Sequence, residues 1–278
     1  MIEDVFFDKQ LNTQLSKLGY VKFPFLNEPQ LKVLSEFYEK IHANNAVPFT
    51  TFMINDYVYR KAIDEQIKSV FAPLIRTVFK RHTPFWGNFF SKLPGQPQMP
   101  LHSDLQYVDE TTDISLNIWV PLSKTNSTTA TLGIVPKSNT IMNQIRGVNI
   151  IDAYSKNADD IAERFVQYLD FEPGEAIIYD HRLLHLSAKN DSNQTRVAAT
   201  LVMVPATKPV QMYFAEKEGD TTFYGYHIKS IDELLLTPFK KLPSHLIPIK
   251  TIKNYQFVPL TVNDVQKFVA KISTPDQL

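Results

Sequence analysis

The stretch Ile114-Ser115-Leu116-Asn117-Ile118-Trp119-Val120 alternates between aliphatic residues and residues of other kinds. Successive side chains of a β-strand point to opposite faces, so the aliphatic residues would share one face of such a strand. The other face would carry Ser115, Asn117 and Trp119. We therefore expect one face of this strand to pack in a core and the other to line a cavity.

Short runs of the same kind lie on both sides of this stretch. They are separated by polar residues or by Pro and Gly, which break strands. A series of such strands is typical of a β-sandwich or barrel. The runs cover residues 85–93, 101–108, 131–135, 175–179, 183–188 and 196–204.

Helices are predicted on the flanks of this β-rich region. Apolar residues recur at spacings of three and four over residues 28–44 and 62–80, which indicates amphipathic helices, and a third helix is expected within 153–168. We expect one domain over residues 1–278, with a helical N-terminal part to about residue 82. A C-terminal segment from about residue 205 would wrap the core.

The composition excludes several classes of function. Lys plus Arg equals Asp plus Glu at 29 each, so no net charge attracts nucleic acid or an anionic membrane, and we expect a small-molecule partner. The chain has no cysteine, so any metal must be bound by nitrogen and oxygen. The N-terminal residues do not resemble a secretory signal, and we expect a cytoplasmic protein. The oligomeric state is left open.

A His-x-Asp pair, His102 and Asp104, is the first candidate for a metal site. With 7 His and 29 acidic residues in the chain, about 0.7 pairs of this spacing arise by chance, so the pair alone proves nothing. On a strand, however, the two side chains would project from the same face and could bind one ion. Two histidines and one carboxylate on one side of iron leave positions for oxygen chemistry, and His181 and His185 are the candidates for the third ligand.

Arg196 stands at the start of an apolar run that follows a polar turn. A guanidinium in such a run is rarely buried without an anionic partner, and its planar fork matches a carboxylate. A dicarboxylate bound beside the metal would supply that partner. The alternative is an arginine of an edge strand whose head reaches solvent.

The order and spacing of these motifs resemble the phytanoyl-CoA dioxygenase-like family of Fe(II)- and 2-oxoglutarate-dependent oxygenases. The resemblance spans about residues 12–204 and is specific only as a whole. Lys137 and Asn139 stand where members usually have Gly and His. The resembling segments are Pro94-Gly95, Pro100-Leu101-His102-Ser103-Asp104, Ile118-Trp119-Val120-Pro121-Leu122, Gly133-Ile134-Val135-Pro136-Lys137-Ser138 and 174–185.

The resemblance implies a double-stranded β-helix, or jelly roll, with a cupin-like core. It implies that His102, Asp104 and His185 bind iron while His181 does not. It also implies that Arg196 and Ser187 bind the far carboxylate of 2-oxoglutarate. Asn117 and Trp119 are expected to contact the same co-substrate, and Phe89, Gln106 and Tyr107 are expected in the substrate pocket.

The expected reaction is hydroxylation of a small organic substrate, in which O2 and 2-oxoglutarate are consumed and succinate and carbon dioxide are released. Related halogenases have a small residue in place of the metal carboxylate, whereas Asp104 is present here, which favours hydroxylation. Two alternatives stay open. One is a cupin-type metal enzyme that does not use 2-oxoglutarate, and the other is a non-catalytic barrel that binds a metal or ligand.

Overall fold

A computed structural model of the protein describes residues 4–43, 47–151 and 154–269. Within these residues the α-helices are Lys9–Leu18 (α1), Glu28–His42 (α2), Tyr57–Val78 (α3), Ala158–Phe165 (α4), Ile231–Leu235 (α5) and Val262–Val269 (α6). The strands are Tyr20–Pro24 (β1), His82–Lys92 (β2), Met99–His102 (β3), Leu116–Pro121 (β4), Leu132–Ile134 (β5), Gln167–Tyr168 (β6), Glu175–Asp180 (β7), His185–Ser187 (β8), Arg196–Pro205 (β9), Val210–Phe214 (β10), Phe223–Ile228 (β11) and Lys250–Ile252 (β12).

The strands form antiparallel sheets with the helices outside them. A five-stranded sheet has the order β1-β7-β4-β9-β2, and a four-stranded sheet has the order β3-β8-β5-β6. A third sheet, β10-β11-β12, belongs to the C-terminal part. The mainly β fold with flanking helices is the predicted one, and the jelly-roll core is confirmed.

Strand β4 lies at the centre of the five-stranded sheet and has the two faces that its alternation predicts. Leu116 and Ile118 pack in the cluster that the sheet forms with α2 and α3. Trp119 points the other way, into a cluster with Leu132 of the four-stranded sheet and with Phe171. The five-stranded sheet is therefore buried on both faces, and the second face looks into the space between the two sheets.

The helices agree with the prediction in position and differ at their ends. Helix α2 begins after Asn27, whose side chain accepts from the Gln30 backbone N–H at 3.0 Å while the Gln30 side chain accepts from that of Asn27. Helix α3 begins at Tyr57, five residues before the predicted start, because Asp56 caps it through the N–H of Tyr59. Helix α4 covers only residues 158–165 of the predicted 153–168, and residues 152–153 lie outside the described part.

Two strands differ from the prediction. The N-terminal part was expected to be helical, but β1 pairs with β7 and brings Tyr20 opposite Tyr179. The run expected over 101–108 ends as a strand at His102. Beyond it the backbone N–H of Asp104 donates to the carbonyl of His181 at 2.9 Å instead of to a neighbouring strand. Asp104 therefore lies just past the end of β3.

The C-terminal part packs against strands β2 and β9 of the main sheet. Phe214 and Tyr226 of the third sheet form a cluster with Phe85 of β2 and Val202 of β9. The assignment of the chain to one domain stays a prediction. None of the described helices has the length and apolar character that a membrane span requires.

Candidate metal centre and co-substrate pocket

Three predicted metal-binding side chains lie together at one end of the four-stranded sheet. Strands β3 and β8 are antiparallel neighbours, and their pairing places His102 opposite His185. One ligand atom from each of His102, Asp104 and His185 lies within 4.8 Å of the other two. His185 Nε2 is 3.8 Å from Asp104 Oδ1.

The two histidines are oriented in the same way by their own backbone. His102 Nδ1 is 2.9 Å from the carbonyl of Pro100, and His185 Nδ1 is 2.9 Å from the carbonyl of Leu183. A carbonyl only accepts, so each Nδ1 carries the proton and each lone pair is on Nε2. Metal-binding histidines are commonly fixed through their other ring nitrogen in this way.

The second oxygen of Asp104 is bound by two residues of the five-stranded sheet. The Tyr179 hydroxyl donates to Asp104 Oδ2 at 2.9 Å, and Asn117 Nδ2 donates to the same oxygen at 3.2 Å and to the Tyr179 hydroxyl at 2.9 Å. Asn117 and Tyr179 are register partners on β4 and β7. The pair orients the carboxylate so that Oδ1 faces His185. Asn117 was predicted as a co-substrate contact, and Tyr179 was not predicted.

The protonation states suit a metal site. Burial opposes ionisation of Asp104, but His185, His181 and His102 together with the Tyr179 hydrogen bond outweigh it, and the pKa of Asp104 falls to about 2. Burial, with the nearby Asp104 carboxylate, raises the pKa of Tyr179 well above its usual value, so the phenol keeps its proton and donates.

His181 lies beside this cluster and does not belong to it. Its Nδ1 is 2.8 Å from Ser115 Oγ, and burial lowers its pKa to about 4, so the ring is neutral near pH 7. Its Nε2 is buried without a partner among the described residues. The remaining histidines also lie outside the cluster, and these are His42, His82, His227 and His245.

Arg196 is buried, with 4% of its surface exposed, and it has no acidic partner in the described part of the chain. Its Nε donates to the Ala130 carbonyl at 3.1 Å, and Nη1 donates to the Phe90 carbonyl at 3.2 Å. The guanidinium lies 5.5 Å from the centre of the Trp119 ring. Burial lowers the pKa of Arg196 to about 10, which still leaves it charged near neutral pH.

A second buried cation, Lys92, lies near Arg196 and was not predicted. Its ammonium donates to the side chain and carbonyl of Ser187, both at 3.0 Å, and to the Ala188 carbonyl at 2.6 Å. Burial and the charge of Arg196 lower the pKa of Lys92 to about 8. Of the predicted co-substrate pair, Ser187 is therefore bound by Lys92, and Arg196 lies opposite Lys92 on the paired strand.

A cavity of about 440 Å³ extends from the metal cluster toward the C-terminal part. Tyr107, a predicted pocket residue, lines it, as does Asn117. Phe89 does not, because it points into the core against α2. Gln106 is buried and donates to the Val108 carbonyl at 2.9 Å, away from the lining. The aromatic lining consists of Phe52, Trp86, Phe90, Tyr107, Phe214 and Phe239.

The donor set is suited to a first-row transition metal. Two imidazole nitrogens and one carboxylate oxygen on one side of an ion make the facial set that non-haem Fe(II) oxygenases use, and they leave positions for other ligands. The hydrogen bonds to both Nδ1 atoms and to Asp104 Oδ2 leave His185 Nε2 and Asp104 Oδ1 turned toward each other. The residues present therefore fit iron.

Solved structures share this fold at low sequence identity. AviO1 from Streptomyces viridochromogenes superposes with a TM-score of 0.52 and 14% identity, over 72% of this chain and 96% of its own. EvdO2 from Micromonospora carbonacea var. aurantiaca, in complex with 2-oxoglutarate, gives 0.52 and 18% over 74% and 93%. EctD from S. alaskensis, with 2-oxoglutarate and 5-hydroxyectoine, gives 0.51 and 16% over 73% and 78%.

The sequence itself identifies the family. No curated protein has a matching sequence. The phytanoyl-CoA dioxygenase (PhyH) family matches over residues 2–198, which is most of the chain and includes β4, the metal cluster and Arg196. The chain therefore belongs to the phytanoyl-CoA dioxygenase family, whose members are oxygenases that use Fe(II), 2-oxoglutarate and O2.

Proposed function

We propose that the protein hydroxylates a small organic substrate, with Fe(II) bound by His102, Asp104 and His185 and with 2-oxoglutarate bound at Arg196 and Ser187. The observation that carries the proposal is the pairing of two sites in one barrel. One is a cluster of three metal-binding side chains, and the other is a buried guanidinium with no acidic partner among the described residues. A metal-binding protein without an anionic co-substrate would not need the second.

The first task of the chain is to orient its metal-binding atoms before the metal arrives. The carbonyls of Pro100 and Leu183 fix the two imidazole rings, and Tyr179 with Asn117 fixes Asp104. Because these groups are already in place, little conformational entropy is lost on binding.

The second task is to bind the co-substrate. The fork of Arg196 would bind the far carboxylate, with the Ser187 hydroxyl as a second donor. Because Ser187 Oγ accepts a hydrogen bond from Lys92, the hydroxyl proton of Ser187 can donate to a different group, such as the far carboxylate. Bound iron and 2-oxoglutarate supply the oxidising chemistry, in which O2 is consumed and succinate and carbon dioxide are released.

The third task is to place the substrate and to exclude water. The cavity begins at His102 and Asp104, and six aromatic side chains are among those that line it. A substrate that fills it would displace water from the metal centre. Asp104 would occupy the position on the metal that a halide takes in the related halogenases. Its presence therefore supports hydroxylation over halogenation.

The alternatives make different predictions. A cupin-type metal enzyme without 2-oxoglutarate would not need Arg196, and a non-catalytic barrel would bind metal without forming succinate. The buried positive charge of Arg196 and Lys92 argues against the first, because burying unpaired charge is costly unless an anion is bound there. The second is separated from the proposal by succinate formation.

The test is an anaerobic titration of 2-oxoglutarate into Fe(II)-loaded protein, followed by the visible charge-transfer absorption, and then succinate formation in air. The wild type should give both signals. Asp104→Ala should lose them, whereas His245→Ala, which changes a histidine outside the cluster, should keep them. Metal binding without the absorption band or succinate would leave the non-catalytic barrel as the explanation.

A further inference from the structure

The side chains that line the cavity include more basic residues than acidic ones. Among the described lining residues, Asp104 is the only acid, and its carboxylate belongs to the metal cluster. Arg146 also lines the cavity, but Glu110 neutralises it through contacts of 2.6 and 2.9 Å. The other charged lining residues are Lys240 and Lys241, which are exposed and form no ion pair within the described residues.

The backbone that carries these two lysines is held on one side by α3. Arg60 is buried and donates through Nη1 to the carbonyls of Leu235 and Thr237, at 3.0 and 2.8 Å. Asn55 Oδ1 accepts from the Phe239 N–H at 2.8 Å and from Arg60 Nη2, also at 2.8 Å. These bonds fix residues 235–239 against the cavity wall.

The same backbone is held on the other side by the turn at residue 149. Asn149 Nδ2 donates to the Lys240 carbonyl and to the Ala215 carbonyl, both at 3.1 Å. Lys240 itself has a φ of 56°, in the left-handed region that a lysine adopts only at an energetic cost. Residues 235–241 therefore form a fixed rim of the cavity, and this rim carries the adjacent residues Lys240 and Lys241. The rim lies beyond residue 198, where the family match ends.

We propose that the substrate of this site is a largely apolar molecule with one anionic group, and that this group binds at Lys240 and Lys241. The apolar body would lie between Trp86, Phe214 and Phe239 and reach the metal cluster. Amines are disfavoured, because no described carboxylate of the lining is available to them. The inference rests on the proposed function for the reaction and for the binding of Asp104 by the metal, whereas the anion site at Lys240 and Lys241 does not require the metal.

Three probes test the charge preference, namely phenylbutyrate, phenylbutyramide and phenylbutylamine. They share one apolar body and differ in charge. Calorimetric titration into anaerobic Fe(II)- and 2-oxoglutarate-loaded protein should give the acid an affinity about three- to ten-fold above that of the amide, as two exposed ion pairs allow, with the amine weakest. Added salt should reduce the difference.

The double variant Lys240→Gln/Lys241→Gln should bring the acid to within about two-fold of the amide. The control is Lys229→Gln/Lys253→Gln, which removes two exposed lysines outside the cavity and should preserve the preference. Equal binding of acid and amide by the wild type, tightest binding of the amine, no binding of any probe, or a preference that survives the double variant would each refute the proposal.

The same titrations separate this inference from the proposed function. If the protein shows no absorption band with Fe(II) and 2-oxoglutarate, the proposed function fails, and the probes are titrated into metal-free protein. A preference for the acid there still supports the rim as an anion site. If the band forms and the preference is missing, the oxygenase stands and the substrate class is wrong.

Discussion

Replacement of Arg196 by leucine separates the proposed oxygenase from a metal enzyme that does not use 2-oxoglutarate. The guanidinium gives Nε and Nη1 to two backbone carbonyls, whereas Nη2 donates to no described residue. Leucine keeps most of the packing beside Trp119 and removes the charge. It leaves two carbonyls without a donor but also removes a buried cation that has no acidic partner, so the fold should persist.

The magnitude follows from the burial of this site. Removing one partner of a buried charge pair costs about 2 to 5 kcal/mol, which raises the dissociation constant of 2-oxoglutarate by roughly 30-fold to several thousand-fold. Arg196→Lys should recover only part of this, because an ammonium restores the charge and not the planar fork.

The assay is the anaerobic titration of 2-oxoglutarate into Fe(II)-loaded protein, with metal affinity measured separately. Arg76→Leu, which changes an exposed arginine of α3, is the matched control and should bind 2-oxoglutarate like the wild type. If Arg196→Leu binds 2-oxoglutarate as tightly as the wild type, Arg196 is not its carboxylate anchor, and the alternatives gain support.

Three further predictions concern metal affinity, pH and packing. Tyr179→Phe should weaken metal binding by about 10- to 100-fold in a Co(II) titration, because Asp104 loses a donor; Tyr20→Phe is the control, and equal affinities would contradict the role of Tyr179. In metal-free protein, the lowered pKa of His181 means that the unfolded chain takes up a proton below about pH 6.5 while the folded protein does so only near 4. The contribution of His181 to the free energy of unfolding is therefore complete above pH 6.5 and falls by about 1.4 kcal/mol per pH unit as pH drops toward 4, and urea unfolding of His181→Gln should lack this component. Gly147→Ala would place its Cβ 2.1 Å from the Tyr213 carbonyl oxygen, so thermal unfolding should reveal a loss of about 1 to 3 kcal/mol, and an unchanged midpoint would refute the close approach.

Much of the barrel could be predicted because its signals are local. The alternation around Leu116 and Ile118 depends only on the two-residue period of a strand, and both faces are occupied as that period requires. Helix α2 is likewise specified by its apolar spacing and by the capping residues Asn27 and Gln30. The end of β3 could not be predicted, because it depends on distant acceptors: Asp104 donates to the His181 carbonyl and Gln106 donates to the Arg146 carbonyl.

The parts of the site that the sequence does not reveal depend on pairing across the sheets. Tyr179 reaches Asp104 only because β7 pairs with β4 in one register, and a register shift of one residue would turn the tyrosine to the helical side. Lys92 ends an apolar strand, and its position opposite Arg196 becomes visible only when β2 and β9 are paired. In the sequence, the one sign of this second cation is a lysine at the end of an apolar strand.

The structure divides the proposed activity between two parts of the chain. The two histidines of the metal cluster and Arg196 lie on paired strands within residues that match the family, and Asp104 is held just beyond β3 by side chains of β4 and β7, which gives the chemistry a rigid frame. The rim with Lys240 and Lys241 lies beyond that match and is attached by the side chains of Arg60, Asn55 and Asn149. The two proposals can therefore be tested separately. On the proposed function the type of reaction belongs to the barrel, and on the inference from the cavity the anionic group of the substrate is recognised at Lys240 and Lys241 of the C-terminal part.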